Sequence, residues 1–456
     1  MTSELVCDIS ITSDDHDRLV AHLFPGDHDE HGAVLHAGVT VRGPASRLTV
    51  QNVVCAKSER DYVAGKFGYR ALDPTFIHRQ IVRCRDLRLA YLAVHNHLSD
   101  LHVGFSRIDF ESHERGYPAL RDIGKGVPVG ALVFGRRSVA ADIWMPDGIR
   151  RTLGVYRIVG PTIKRLYSEP SAAPDAAPAY DRQIRMFGAA GQTLLANSKV
   201  AVVGLGGVGS LVAEYLARLG VGHLVLIDPD PIEDTNLSRV VGATAVDVET
   251  GQLKTQIAVR HVREVTADAI LDAIPEDVAK DSIAKILCDC DFIFLAADSM
   301  RARLLVNAIT HQYLIPAIQI GAKIRANASG SIEDAMSAVR HLRPRHGCLW
   351  CNGLIDPAQL AIEAKTDEER KDQAYGVNEP NPSVITLNAV AAAHAVNDFL
   401  FDFLDLRPQT TEAAYQHFHF LKGVSQQVIP RRDPDCRECG RRFGMGDAIE
   451  LPTILG

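Results

Sequence analysis

The chain has 456 residues, more than one hydrophobic core organises, because single cores stop growing at roughly 250 to 300 residues. Its composition is 46% hydrophobic and 23% charged, with a formal net charge of -7 and no blocks of like charge, which argues against nucleic acid as the main partner. The opening MTSELVCDISITSDDHDRLV has neither the basic start nor the apolar run of a signal peptide, and no stretch nears the ~20 apolar residues that span a bilayer, so a cytoplasmic protein without a membrane partner is expected.

In chain order, β-rich runs such as GAVLHAGVTV, LAYLAVHNH and VPVGALVFG alternate with helical patterns such as DFESHERGYPALRDIG, which predicts a compact α/β domain over residues 1–167. The segment SEPSAAPDAAPAY is rich in Pro and Ala and poor in large apolar residues, so residues 168–179 read as a linker. From there SKVAVVGLGGVGSLVAEYLARLGVGHLVLIDPD gives strand, glycine turn, amphipathic helix and strand. That is the βαβ order of a doubly wound sheet, in a second domain spanning 180–456.

In the first domain, VHNHLSDLHVGFSRID sets His95 and His97 one residue apart, ahead of Ser106 and Asp109. With 18 histidines in the chain, chance alone predicts on the order of one such pair. His417 and His419 in YQHFHF form another, with no acid following, and read as an alternating strand. Ser-x-x-Asp is also the signature of a helix-starting capping box. The combination says more: on a strand both imidazoles project from one face, and Asp109, in the first turn of the next helix, can supply a third ligand. One position then stays open, as catalytic zinc requires.

In the second domain, Gly204, Gly206 and Gly209 form G-x-G-x-x-G after the strand Val200–Val203 and open a helix. Backbone N–H groups and the helix N-terminus can there approach a diphosphate with no side chain in the way. Asp228 ends the next strand, where its carboxylate can accept from a ribose. The loop alone suits NAD as well as ATP. Four of the nine cysteines form two C-x-x-C pairs, Cys348/Cys351 and Cys436/Cys439. Together they fit one structural four-cysteine zinc site, with a redox dithiol the alternative for either pair alone.

The flanking motifs YDRQIRMFG, GLGGVGS, LIDPDPIEDTNLSR, GQLK and AADSMRAR, followed by the cysteine pairs, resemble the ubiquitin-activating E1 and bacterial ThiF/MoeB adenylyltransferases over nearly the whole second half. The resemblance implies a Rossmann-like domain forming an acyl-adenylate with ATP and Mg²⁺. Arg239 and Lys254 would contact the phosphates, Asn236 would help position them, and Asp298, at the end of the expected strand DFIFLAAD, would hold Mg²⁺. Arg182 resembles an arginine finger supplied by the other subunit of a homodimer, and Arg303 matches a further basic position. Many members carry a transfer cysteine on a crossover loop, but the matching stretch YGVNEPNPSVITLNAVAAAHAV has none, and no cysteine lies between Cys351 and Cys436. Cys288 and Cys290, in ILCDCDFIFLA, are expected buried in a strand context.

The histidine segment resembles the JAMM (JAB/MPN) metalloproteases, and the resemblance spans roughly Ser10 to Gly160. It implies zinc held by His95, His97 and Asp109, Ser106 stabilising an oxyanion, and Glu30 in DHDEHGAVLHAG as general base. Leu98 stands where proline is usual and the spacer to Ser106 is one residue longer, which leaves a non-cleaving domain as the alternative. The joint expectation is a bacterial bifunctional enzyme that adenylates the C-terminal glycine of a ubiquitin-like protein and carries a zinc peptidase acting on the same tail. An E2-like carrier or a sulfur donor would receive the activated group. Sulfur-carrier activation of the ThiS/MoaD kind, with trimming of the carrier tail, is the alternative, and a non-catalytic NAD-binding or scaffold protein is the reading from another class.

Overall fold

The structure is a computed structural model and describes residues 5–42, 45–57, 60–63, 71–169, 177–327, 329, 331–364, 382–408 and 414–454. Two compact units divide the chain: Met1–Ala172 with Gln312–Leu314 and Arg442–Glu450, and Ala173–His311 with Ile315–Arg441 and Leu451–Gly456. Residues 170–176 of the expected linker and 375–381 of the expected crossover loop lie outside the described residues. Among the described residues no helix is long and apolar enough to cross a membrane.

The first unit runs β1 (Val6–Thr12), α1 (Ser13–Leu23), β2 (Gly32–Arg42), β3 (Ala45–Cys55), α2 (Pro74–Leu87), β4 (Ala90–Asn96), α3 (Arg107–Gly124), β5 (Val129–Phe134), β6 (Val139–Trp144), β7 (Arg150–Val159) and β8 (Ile163–Leu166). The strands lie in the order β1-β3-β2-β4-β5-β6-β7-β8, and β1 also pairs with β7, closing the sheet on itself. Side chains alternate across its two faces. Leu35, Leu92 and Leu132 join Ile9, Phe134 and Tyr156 in one core. Their neighbours Val34, Tyr91 and Ala131 pack in another with Phe76, Ile81 and Tyr117 of α2 and α3. Burial on both faces is why these strands read as nearly continuous apolar runs. The segment Arg442–Glu450 lies against β2, where the Gly38 N–H donates to Gly444 O at 3.0 Å. A Cβ on Gly38 would stand 2.3 Å from the Met445 carbonyl carbon, so only glycine fits.

The second unit runs α4 (Asp181–Ala196), β9 (Lys199–Val203), α5 (Gly207–Leu219), β10 (His223–Ile227), α6 (Ala245–Glu249), α7 (Lys254–Val265), β11 (Ile270–Ile274), α8 (Asp281–Leu287), β12 (Phe292–Leu295), α9 (Met300–Tyr313), β13 (Ala317–Ala326), β14 (Ile332–Leu342), α10 (Pro357–Glu363), the helix Ile385–Phe403, here α11, β15 (Tyr415–His419) and β16 (Val424–Val428). Its sheet has the order β11-β10-β9-β12-β13-β14-β15-β16. The first five strands are parallel and the last three antiparallel. Strand order reverses between β9 and β12, the switch point at which doubly wound sheets bind ligands beyond their carboxyl ends. Two local expectations need correction. Asp298 lies three residues past β12, in the turn before α9, because that strand stops at Leu295. Cys288 and Cys290 are buried as expected, but they sit in the turn after α8 and ahead of β12 instead of in a strand.

Candidate functional site

The glycine loop stands at this switch point, and its glycines differ in what they allow. Gly204 has φ +89°, and a Cβ there would stand 2.7 Å from the Ala297 nitrogen, so the turn closes against the chain leaving β12. A Cβ on Gly209 would fall 1.7 Å from Gly204 O, which glycine alone permits. Around Gly206 a Cβ would meet nothing within 4 Å. The loop is therefore tight where it touches itself and open where α5 begins, the place at which backbone N–H groups can receive phosphate oxygens.

Beside this opening stand residues of the β10–α6 connection and the start of α7. Asp228 is buried; its Oδ2 accepts from the Leu205 N–H at 2.7 Å and its Oδ1 from the Asp230 N–H at 3.0 Å. Burial raises the pKa of its carboxyl, and Lys254 opposes that shift. Lys254, at the start of α7, places Nζ 3.5 Å from Asp228 Oδ1 and 2.9 Å from Asp230 Oδ2. Asn236 is buried in a short 3₁₀ turn, where its Oδ1 accepts from the Glu233 N–H at 3.3 Å. Arg239 leaves that turn with Nη1 donating to Thr235 O at 2.5 Å. A Cβ on Gly207 would lie 3.1 Å from Arg239 Cδ, so the stem of Arg239 packs on the start of α5.

On the far side of the switch point Asp298 is exposed and acts electrostatically on Arg303, one turn into α9. Arg303 is half-buried and its Nη1 donates to Leu354 O at 3.0 Å. Arg182 is exposed near the start of α4, and among the described residues no hydrogen bond or ion pair joins it to this cluster. Two residues that the motifs did not reveal belong to the surroundings. Glu363 of α10 accepts from the Met300 and Arg301 N–H groups, at 2.9 and 3.0 Å, and so caps α9. Asn388 of α11 is buried, donates to Ser383 Oγ at 3.1 Å, and puts Nδ2 2.4 Å from where a Gly207 Cβ would be. A lone amide in the apolar run ITLNAVAAAHAV was its only sequence signal.

The four cysteines converge. Thiolates about 2.3 Å from a tetrahedral zinc ion stand about 3.8 Å from one another. Here Cys348 Sγ lies 3.4 Å from Cys351 Sγ and 3.8 Å from Cys436 Sγ, and Cys351 Sγ lies 3.7 Å from Cys439 Sγ. None is in a disulfide and all four are buried. Asn307 of α9 accepts from the Leu349 N–H at 2.9 Å and so fixes the first C-x-x-C turn.

In the first unit, ligand atoms of His95, His97 and Asp109 all lie within 4.8 Å of one another. His95 Nε2 stands 3.5 Å from Asp109 Oδ1, and His97 Nε2 3.8 Å from Asp109 Oδ2. Ligands about 2.0 to 2.1 Å from a tetrahedral ion have edges of about this length. His95 Nε2 is buried with no hydrogen-bond partner among the described residues, the state expected of an atom reserved for a metal. Ser106 caps α3: its Oγ accepts from the Asp109 N–H at 3.2 Å, and its own N–H donates to Asp109 Oδ2 at 2.7 Å. The capping box thus orients the carboxylate. Burial would raise the Asp109 carboxyl pKa, but the facing His95 imidazole and the hydrogen bond from the Ser106 N–H outweigh it and hold the group far below the usual carboxylate range. Glu30 is half-buried; burial raises its pKa, with His95 and Asp109 close enough to act on it in opposite directions. The His31 N–H, donating to Asn96 Oδ1 at 2.6 Å, ties that turn to β4.

The ThiF family profile matches residues 180–438. The chain is 34% identical over 276 residues to the SAMP-activating enzyme E1 of Haloferax volcanii, covering 59% of this chain and 91% of that protein. It is 30% identical over 159 residues to the tRNA threonylcarbamoyladenosine dehydratase of Escherichia coli, covering 35% of this chain and 57% of that one. With the sulfur carrier protein ThiS adenylyltransferase of Bacillus subtilis the identity is 33% over 130 residues, covering 28% and 39%. Among solved structures, E. coli MccB with ATP aligns over 58% of this chain and 75% of that one, at 22% identity and a TM-score of 0.46.

Proposed function

The chain belongs to the ThiF family and carries an E1-like adenylyltransferase domain, and from that premise we propose that it uses ATP to adenylate the C-terminal glycine of a small ubiquitin-like or sulfur-carrier protein. The observation that carries this reading is the gathering of Asp228, Arg239 and Lys254 about the glycine loop and the start of α5. In the reaction a carboxylate oxygen of the tail bonds to the α-phosphorus while the bond to the pyrophosphate oxygen breaks. Asp228 would accept from the ribose, the Gly204–Gly209 backbone would donate to the phosphates, and Arg239 and Lys254 would offset the charge that grows as pyrophosphate leaves. Mg²⁺ would supply further positive charge there, and the exposed carboxylate of Asp298 suits so hard a cation. Arg182, exposed on α4, would act from a second copy in a homodimer. ATP–pyrophosphate exchange, driven by a small protein ending in glycine, tests the reading. No exchange with any such protein would favour a nucleotide-binding scaffold.

We read residues 1–167 as a JAMM-like domain, 168–179 as a linker and 180–456 as the adenylation domain with a structural zinc site made by the four cysteines. Zinc at His95, His97 and Asp109 would supply Lewis acidity for hydrolysis of a peptide or isopeptide bond. Glu30 would take the proton of the attacking water, and the Ser106 hydroxyl would donate to the oxyanion. Geometry supports this reading: the three ligand atoms are already gathered and His95 Nε2 has no other partner among the described residues. Both activities would act on one tail, and joining them in one chain raises the effective concentration of the second event.

The sequence lacks a cysteine between Cys351 and Cys436, which favours transfer of the acyl group to an outside nucleophile. Either the cysteine of an E2-like carrier or a sulfur donor fits, and the second outcome makes the partner a sulfur carrier whose tail the first domain trims.

A further inference from the structure

The far face of the β13–β15 region holds a group of donors to which, Arg303 of the adenylation motif aside, the adenylation chemistry gives no role. Ser337 Oγ donates to Leu387 O of α11 at 3.0 Å, so that face of β14 turns toward α11. Arg340, three residues on, points the opposite way. In register with it on β13 is Gln319, whose Oε1 accepts from Arg340 Nη1 at 2.7 Å, and His417 pairs with Ala338 on the same face. Arg303 reaches this region from α9. The Nε atoms of Arg303 and Arg340, Nδ2 of Asn307 and Nε2 of His417 are all buried without a hydrogen-bond partner among the described residues. Arg303 feels the carboxylates of Asp298 and Glu363. No acidic residue is paired with Arg340 among the described residues, and burial, with the like charge of Arg303, lowers its pKa to about 10.

Two guanidinium groups within electrostatic reach of one another in a half-buried place, with donors left over, are costly unless an anion arrives. The nucleotide is a poor fit for that anion. Its phosphates belong at the glycine loop after β9, and β14 is three strands away, or about 14 Å at the usual spacing. Asp298 follows β12, two strands or about 10 Å from β14, so a tail that presents its terminal carboxylate there would cover that distance in about three extended residues. Resting on the adenylation reading above, we propose that Arg340, with Arg303, Gln319 and His417, forms a subsite for a carboxylate side chain carried by the substrate tail within four residues of its terminal glycine. The subsite makes an acidic residue at that point of the tail a specificity determinant.

The test uses fluorescein-labelled octapeptides ending in Gly-Gly, with one glutamate placed two, three or four residues before the terminal glycine, each beside its glutamine twin. Binding to the full chain is read by anisotropy. At least one glutamate peptide should bind about tenfold more tightly than its twin, and Arg340→Met should reduce that preference to less than about twofold. Arg340→Met should also leave the apparent Tm unchanged or raise it, since it removes an unpaired buried cation. Equal binding of the twins, no binding, or a preference that survives Arg340→Met overturns the subsite. So does a large fall in Tm, which would make Arg340 structural. ATP–pyrophosphate exchange separates the two readings. A chain that exchanges but ignores the glutamate loses only the subsite, and one that reads the glutamate but never exchanges loses only the adenylation.

Discussion

The ammonium of Lys254 stands 3.5 Å from the buried carboxylate of Asp228, so one cation serves both the nucleotide site and the folded state. Replacing it by Met should cut ATP–pyrophosphate exchange on the order of a hundredfold or more, as loss of a preplaced charge at a reacting phosphate does. It should also destabilise the chain at neutral pH, because Asp228 would keep its burial and lose its nearest cation. The sign follows from the raised folded-state pKa of Asp228: protonation favours the folded chain, so the deficit is greatest above that pKa and closes as the pH falls through it. Thermal unfolding of Lys254→Met and wild type between neutral and mildly acidic pH checks this. A gap that widens on acidification would contradict it.

Gly206 and Gly209 should respond to the same substitution in different ways. Gly206→Ala puts a methyl group into open space at φ -70°, so the Tm should hold while ATP affinity drops, since the methyl group enters the place reserved for phosphate. Gly209→Ala forces a Cβ to 1.7 Å from Gly204 O and should lower Tm and ATP binding together. Calorimetric titration with ATP and Mg²⁺, beside a melting curve, separates the two. Unimpaired ATP binding by Gly206→Ala would place the nucleotide elsewhere.

Ser106 has a capping role and a proposed catalytic role, and two substitutions divide them. Ser106→Ala removes the cap and should cost about 1 kcal/mol as well as peptidase activity. Ser106→Asn retains a good cap without a hydroxyl. It should therefore unfold close to wild type, keep the zinc of the first unit, and still fail to hydrolyse a substrate. Full activity in Ser106→Asn would remove the hydroxyl from the mechanism.

Zinc per chain tests the histidine cluster without any partner. Elemental analysis should give about two zinc ions for wild type and about one for the His95→Ala, His97→Ala double variant, the remaining ion being held by the four thiolates. About one in both would leave the cluster as a pair of histidines beside a helix cap. Cys436→Ser should instead lose the cysteine-held zinc and destabilise the second unit, since closed thiolate sites contribute folding energy directly.

Part of this protein was legible in its sequence. The spacings G-x-G-x-x-G, C-x-x-C and His-x-His each fix a local geometry within one turn or one strand, and local geometry follows from the covalent chain. Reading them gave the glycine loop, the alternation that aims His95 and His97 to one side, and the cap at Ser106. It also gave candidate partners for Asp109, which the fold brings within 4.8 Å of both imidazoles. Strand ends were read less well: Asp298 and the Cys288/Cys290 pair fall in turns, because apolar composition marks a buried segment without marking where its hydrogen-bond ladder stops.

What tertiary structure alone decided involves residues far apart in the chain. The closure of β1 on β7, the seat of Arg442–Glu450 on β2, the cap that Glu363 gives α9, and the packing of Asn388 against Gly207 carry no spacing signal. The same holds for Arg340 and His417, which become neighbours only through strand register. An unsatisfied buried donor is a property of its surroundings, and those surroundings exist only once distant segments have packed and excluded water.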